Sequence, residues 1–215
     1  MSSSTPWHKP GQWLVNPAYW DPEVLAERAG MPTEVHVIDC TLTEGDDCVG
    51  HQLNWNTRLE LMRRLDAVGV GEITLPSHTM KEDERDLARA YRRLGCKTPL
   101  AAKGPAVPVP LSGDWRGPLK QQIDLGAETV CPIYHWSYDD TITDFAGAVS
   151  KQMIVDAVSE ATAFTKSQGV RVVPWIGDTM RTRVDSIVTF ARAIAGAGAD
   201  GVYLVDSRGN SNPLA

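Results

Sequence analysis

No Cys-x-x-Cys pair, no His-x-His pair, no block of Lys and Arg and no apolar run of membrane-spanning length occurs in the 215 residues of this chain. Each absence removes a class. The four cysteines, Cys40, Cys48, Cys96 and Cys131, lack zinc-ribbon and thioredoxin-type spacing, so reduced thiols are expected. Cys40 and Cys131 are expected to point into packed strands. A net charge of -6 with no basic cluster excludes a nucleic-acid footprint. No segment reads as a membrane span. The N-terminus shows no charged-then-apolar leader, so a cytoplasmic address is expected. No Gly-rich phosphate fingerprint follows the first apolar strand, which weighs against a dinucleotide cofactor. What is present is ordinary globular composition, 42% hydrophobic and 22% charged, in a chain long enough for one large core.

Residues 1–34 differ from the remainder. Trp7, Trp13, Trp20 and Tyr19 stand among Pro6, Pro10, Pro17, Pro22 and Pro32. This reads as an aromatic, proline-punctuated arm with one short helix from Pro22 to Ala29. So many large aromatics need a surface to cover, either on the following domain or on a second subunit. A homodimer is expected.

From residue 35 one unit repeats: apolar strand, loop, amphipathic helix, glycine, next strand. Strands are expected at Val35–Ile38, Glu72–Leu75, Pro99–Ala102, Thr129–Ile133, Val170–Val173 and Val202–Val205. Helices are expected over about 57–68, 81–94, 118–125, 151–167 and 182–197. Thr57 with Glu60, and Thr182 with Asp185, have capping-box spacing. Gly69, Gly95, Gly126, Gly169 and Gly198 each fall at a helix end just before an apolar strand, where a left-handed cap is needed. Near-continuous apolar strands alternating with helices imply a parallel sheet. The expected fold is therefore α/β, of the (β/α)8 barrel type, incomplete here at about six units, with residues 35–215 as its N-terminal portion. An open doubly wound sheet is the other architecture with this alternation.

In either architecture function sits at the carboxyl ends of the strands. Those ends carry Thr43, Glu44, Asp46 and Asp47, then Ser77 and His78, Lys103, His135 and Ser137, Asp178 and Arg181, and Asp206, Ser207 and Arg208. The first group is the densest. Carboxylates within one turn of chain repel unless a cation lies between them, and hard carboxylate oxygens suit a divalent ion. An acidic, solvent-screened loop is the plain alternative. Lys103 reads as a surface lysine, since a role as a nucleophilic amine requires burial. Glu72, a carboxylate inside an apolar strand, needs a partner and so ranks as a functional candidate.

Asp39-Cys40-Thr41-Leu42-Thr43-Glu44-Gly45-Asp46-Asp47 resembles the signature D-x-T-L-R-[DE]-G-[DE]-Q. That signature marks the isopropylmalate synthase, homocitrate synthase and HMG-CoA lyase superfamily of metal-dependent barrels. Gly50, Leu53, Asn54, Gly69-Val70, Glu72 and Pro76 keep its spacing. Asp178 with Arg181-Thr182 resembles E-D-x-x-R-[TS] after strand five. Asp206-Ser207-Arg208-Gly209, with Pro213, resembles D-T-x-G-x-x-x-P after strand six. The four motifs are colinear over about residues 35–213.

The resemblance implies a divalent metal (Mg, Mn or Zn) held by Glu44 and by a His-x-His pair on a later strand. It also implies a 2-oxo acid chelating that metal, acetyl-CoA as a candidate acyl donor, and carbon–carbon bond formation or cleavage by a synthase or lyase. Glu72, Thr43 and Asp206 take the catalytic positions; Asp47, His78, Arg181 and Ser207 take substrate-binding ones. Thr43 stands where the family carries the arginine that stabilises oxyanion charge. Asp47 replaces the family glutamine and Gly177 a glutamate. The alternative is a catalytically inactive, barrel-derived protein with an association or scaffold role.

Overall fold

A computed structural model describes residues 34–45, 48–50, 53–76, 82–108, 111–135, 149–207 and 209. The chain divides into two units, Met1–Val35 and His36–Ala215. Every element below belongs to the second. The arm expected over 1–34, with its short helix, lies outside the described residues except for Glu34.

Strands β1 (Ile38–Asp39), β2 (Glu72–Thr74), β3 (Leu100–Ala106), β4 (Thr129–His135), β5 (Arg171–Val172), β6 (Trp175–Gly177) and β7 (Tyr203–Leu204) form one sheet. Helices α1 (Trp55–Val68), α2 (Glu82–Arg93), α3 (Arg116–Asp124), α4 (Lys151–Ser167) and α5 (Val184–Gly196) lie between them in sequence. The order is β1-β2-β3-β4-β6-β7, with β5 also on β4, and every pairing is parallel. This is a half-barrel of six strand positions. Successive parallel neighbours joined through helices follow from the repeating unit.

The fifth strand is broken. Instead of one strand over Val170–Val173, β5 and β6 flank Pro174, which has no N–H to give the ladder. Both pieces still pair with β4. The first strand also differs from expectation. It is shorter, and Val35 and Val37 are exposed, because β1 pairs only with β2 among the described residues.

Helix starts show which side chain wins a cap. α1 begins two residues early because the Asn54 carboxamide accepts from the Thr57 N–H at 2.9 Å and the Thr57 hydroxyl at 3.1 Å. Glu60, freed from the expected capping box, instead pairs with Arg63 and Arg64, each at 2.8 Å. At α5 the expected box is likewise absent: the Thr182 hydroxyl donates to the Asp178 carbonyl, and Asp185 pairs with Arg183. α4 spans the expected residues, with Ser150 accepting from the Met153 N–H. The five helix-ending glycines all have positive φ. At Gly69 (φ 81°) this lets its N–H reach the Leu65 and Asp66 carbonyls and turn the chain into β2.

Strand alternation splits the core. Even-numbered residues of β3 and β4, such as Ala102 and Val130, pack with helix residues in two clusters. Odd-numbered Ala101, Cys131 and Ile133 join Val173 and Trp175, with Cys40, Tyr203 and Val205 against them. That third cluster contains no helical residue and is the barrel interior.

Asp66, near the end of α1, clamps the turn that leads into β3. Its carboxylate accepts from the Thr98 and Lys97 N–H groups at 2.7 and 2.8 Å and from the Tyr91 hydroxyl at 2.9 Å. The Thr98 N–H above all holds its acid well below the usual carboxylate range, against the opposing effect of desolvation. A depressed folded-state pKa stabilises the fold above the unfolded value and ceases to do so as acid protonates the folded group. In urea unfolding, Asp66→Asn should be less stable than wild type at neutral pH. The gap should narrow as pH falls below about 4. A constant gap down to pH 3 would count against the clamp.

Candidate functional site

The carboxyl end of β1 runs into a single π-helical turn, Thr41–Gly45. Asp39 starts it, accepting from the Thr41 N–H at 3.0 Å and the Thr41 hydroxyl at 3.1 Å. Leu42 and Thr43 are fully buried, and the Thr43 hydroxyl donates to the Leu75 carbonyl at 3.0 Å. Thr43 therefore fastens the turn to the chain just beyond β2, and its hydroxyl proton is committed to that carbonyl. Glu44, the next residue, points outward.

The partner of Glu44 is Lys103. Its Nζ donates to Glu44 Oε1 at 2.9 Å; the lysine side chain is 9% exposed and the glutamate 57%. Lys103 sits on an inward-facing position of β3, and its ammonium lies 4.9 Å from the centre of the Trp175 ring. Gly104 helps place it. A Cβ there would meet the Cys131 carbonyl at 3.1 Å, and the β3–β4 register shifts between Lys103 and Ala106. Lys103 was read from sequence as a surface residue. Its place in the alternation, two residues after inward-facing Ala101, was the available signal.

A second polar group follows β6. Asp178 is the one described non-glycine residue with positive φ (59°). Its N–H donates to Ser207 Oγ at 2.8 Å, and its carbonyl accepts from Thr182. Ser207 follows β7 beside Asp206, so the ends of β6 and β7 are tied together at the rim. A non-glycine residue in this conformation is held by its surroundings, a feature that concentrates at functional sites. Asp47 and His78 lie outside the described residues, as does the side chain of Arg181.

Glu72 is elsewhere. It is the first residue of β2, 3% exposed, and bonds to the first residues of three other strands. The Thr129 hydroxyl donates to it at 2.6 Å, the Tyr203 hydroxyl at 3.0 Å and the Arg171 guanidinium at 3.4 Å. The structure thus places Glu72 on the barrel floor, away from the carboxyl-end mouth. On β2 the inward position nearer the mouth is Thr74, 3.5 Å from the Cys40 sulfur. Burial pushes the thiols of Cys40 and Cys131 above their usual range, so neither supplies a ready thiolate.

A divalent cation does not fit the described residues. No group of three or more His, Cys, Asp or Glu among them could hold one. Glu44, the expected ligand, already carries the Lys103 ammonium. A divalent ion on the same carboxylate would lie about 4 Å from that ammonium, a repulsion of roughly 2 to 8 kcal/mol between water-like and surface-like dielectrics.

Fold and site together define a parallel α/β half-barrel with the Glu44–Lys103 ion pair and the left-handed Asp178 at the carboxyl ends of the strands. No protein-family model matches the chain. It is 26% identical over 180 residues to 2-isopropylmalate synthase 2 of Caldanaerobacter subterraneus, covering 84% of this chain and 44% of that protein. It is 25% identical over 190 residues to homocitrate synthase AksA of Methanocaldococcus jannaschii, covering 84% and 42%. The chain thus spans less than half the length of these curated relatives. Among solved structures, HMG-CoA lyase from Bacillus subtilis matches with a TM-score of 0.66 at 12% identity, covering 85% of this chain and 61% of that one. The Brucella melitensis HMG-CoA lyase matches with 0.65 at 12%, covering 85% and 65%. The chain is similar in sequence to the isopropylmalate and homocitrate synthases and in fold to the HMG-CoA lyases, the superfamily its motifs resemble.

Two substitutions separate structural from catalytic roles. Glu72→Ala strands the Tyr203 and Thr129 hydroxyls and should cost about 3 kcal/mol, a fall in Tm of roughly 6–12 °C. A Glu72 variant that kept its Tm but lost ligand binding would contradict the floor assignment. Thr43→Val should cost about 1 kcal/mol through the lost bond to Leu75. Thr43→Arg, burying an unpaired charge, should cost several kcal/mol in thermal unfolding.

Proposed function

We propose that this chain is the N-terminal part of the catalytic barrel of an enzyme that forms or cleaves a carbon–carbon bond in a 2-oxo acid. Acetyl-CoA is the proposed acyl donor in the synthetic direction. The observation that carries the reading is the buried Lys103 ammonium at the barrel mouth, in a chain colinear with acyl-transferring synthases. In such a reaction an acyl-derived carbanion adds to a ketone, and negative charge develops on the ketone oxygen. A fixed ammonium in a mouth walled by Trp175 can donate a hydrogen bond to that oxygen as its charge grows. Glu44 keeps the lysine aimed. Ser207 and Asp206 line the same rim beside Asp178. Asp47, His78 and Arg181 remain proposed substrate contacts. The divalent metal expected at Glu44 enters no step, since the described residues do not fit it. Homodimerisation and a cytoplasmic address stay part of the proposal.

A second reading, a barrel-derived scaffold without catalysis, is favoured by one observation. Thr43 stands where related barrels are expected to present a charged arginine, and it is fully buried with its hydroxyl committed to Leu75.

Release of free CoA from acetyl-CoA, followed across a panel of 2-oxo acids, separates the two. Turnover that depends on one 2-oxo acid and falls at least tenfold in Lys103→Met is the result expected of the enzyme. No turnover, with no 2-oxo acid raising the Tm, is the result expected of the scaffold.

A further inference from the structure

We propose that Lys103 takes over the electrostatic role of a divalent cation at this mouth, and that Glu44 is an internal stand-in for the carboxylate of the bound acid. The inference rests on the proposed 2-oxo acid chemistry.

Three observations carry it. First, the ammonium is buried while its partner carboxylate is more than half exposed. A lysine pinned in the interior by a solvated glutamate is a fixed positive charge with an anion that solvent can replace. Second, the lysine is held on another side as well, over the Trp175 ring at 4.9 Å, and that ring packs edge-on against Tyr203 at 5.2 Å. The cation therefore keeps a second partner when Glu44 swings away. Third, Glu44 is the residue to which the sequence motif assigns the metal, and the group bonded to it is Lys103. A +1 ammonium with three N–H donors can engage a carboxylate oxygen and a neighbouring carbonyl oxygen of the same small acid, the pair of atoms that a metal would chelate. What is lost is the second positive charge. What is gained is a cation that needs no loading.

The two roles of Glu44 lead to opposite expectations. As a metal ligand, Glu44 would be needed for substrate binding. As a competing anion, it would hinder that binding by occupying Lys103.

The test uses the whole chain with pyruvate as the probe. Calorimetric titration in EDTA is compared with titration in Mg²⁺ or Mn²⁺, and Mn²⁺ binding alone is followed by electron paramagnetic resonance. Expected are pyruvate affinities within twofold in EDTA and in metal, no stoichiometric Mn²⁺, a loss of at least tenfold in Lys103→Met, and a gain of about threefold or more in Glu44→Gln. Lys103→Met keeps an unbranched chain over Trp175, and its Tm confirms that it is folded. Stoichiometric Mn²⁺ binding abolished by Glu44→Gln would overturn the inference while leaving the 2-oxo acid reading intact. Pyruvate binding unaffected by Lys103→Met would also overturn it alone. Failure of pyruvate and of larger 2-oxo acids to bind under any condition would overturn both.

Discussion

The buried carboxylate of Glu72 is the constraint on which the half-barrel's interior depends. A charge that is 3% exposed must find donors, and here they come from Thr129, Tyr203 and Arg171. Each donor is the first residue of its strand. The requirement to satisfy one carboxylate therefore fixes the starting levels of β2, β4, β5 and β7 relative to one another. Once those levels are set, alternation decides the rest. Lys103 and Trp175 fall on inward positions nearer the mouth, and Ala102, Val130 and Ile176 turn toward the helices. A polar floor and an ionic mouth are thus separated by the apolar layer of Ala101, Cys131 and Val173.

The mouth is built by short-range devices. The π-helical turn is closed by Asp39, anchored by Leu42 and Thr43, and presents Glu44 to Lys103. The two described carboxylates of the acidic stretch are engaged separately. Asp39 is occupied by the backbone of its own turn, and Glu44 by Lys103. On the other side, the left-handed Asp178 is gripped by Ser207, so the rim at the ends of β6 and β7 is held as one piece.

Much of the architecture was legible in the residues. The repeat of strand, helix and glycine has a local cause, the left-handed cap, and all five predicted glycines adopt it. The span of α4 matched the expected 151–167, while its Ser150 cap emerged only from the structure. Cap choice at α1 and α5 was less legible, because Asn54 and the carbonyl of Asp178 offered competing partners that a spacing rule does not weigh. The site was partly legible. Motif spacing brought Glu44, Asp206 and Ser207 to strand ends, but it also drew in Glu72, although the expected strand Glu72–Leu75 already put that residue at the amino end, away from the mouth. Lys103 was passed over because burial is a tertiary property. Only the inward run of Ala101 and Lys103, combined with the approach of Glu44 from β1, gives the lysine its partner.

The Tyr203 hydroxyl reaches Glu72 across 131 residues of chain. That separation gives the bond a kinetic meaning. Contacts so distant in sequence carry a loop-closure cost that grows with the logarithm of the separation, and topologies rich in them fold more slowly. Without β7, Glu72 would keep only its nearer partners Thr129 and Arg171. The floor carboxylate is thus fully partnered only when β2, β4, β5 and β7 are all in place, so one buried charge reports on the assembly of most of the sheet.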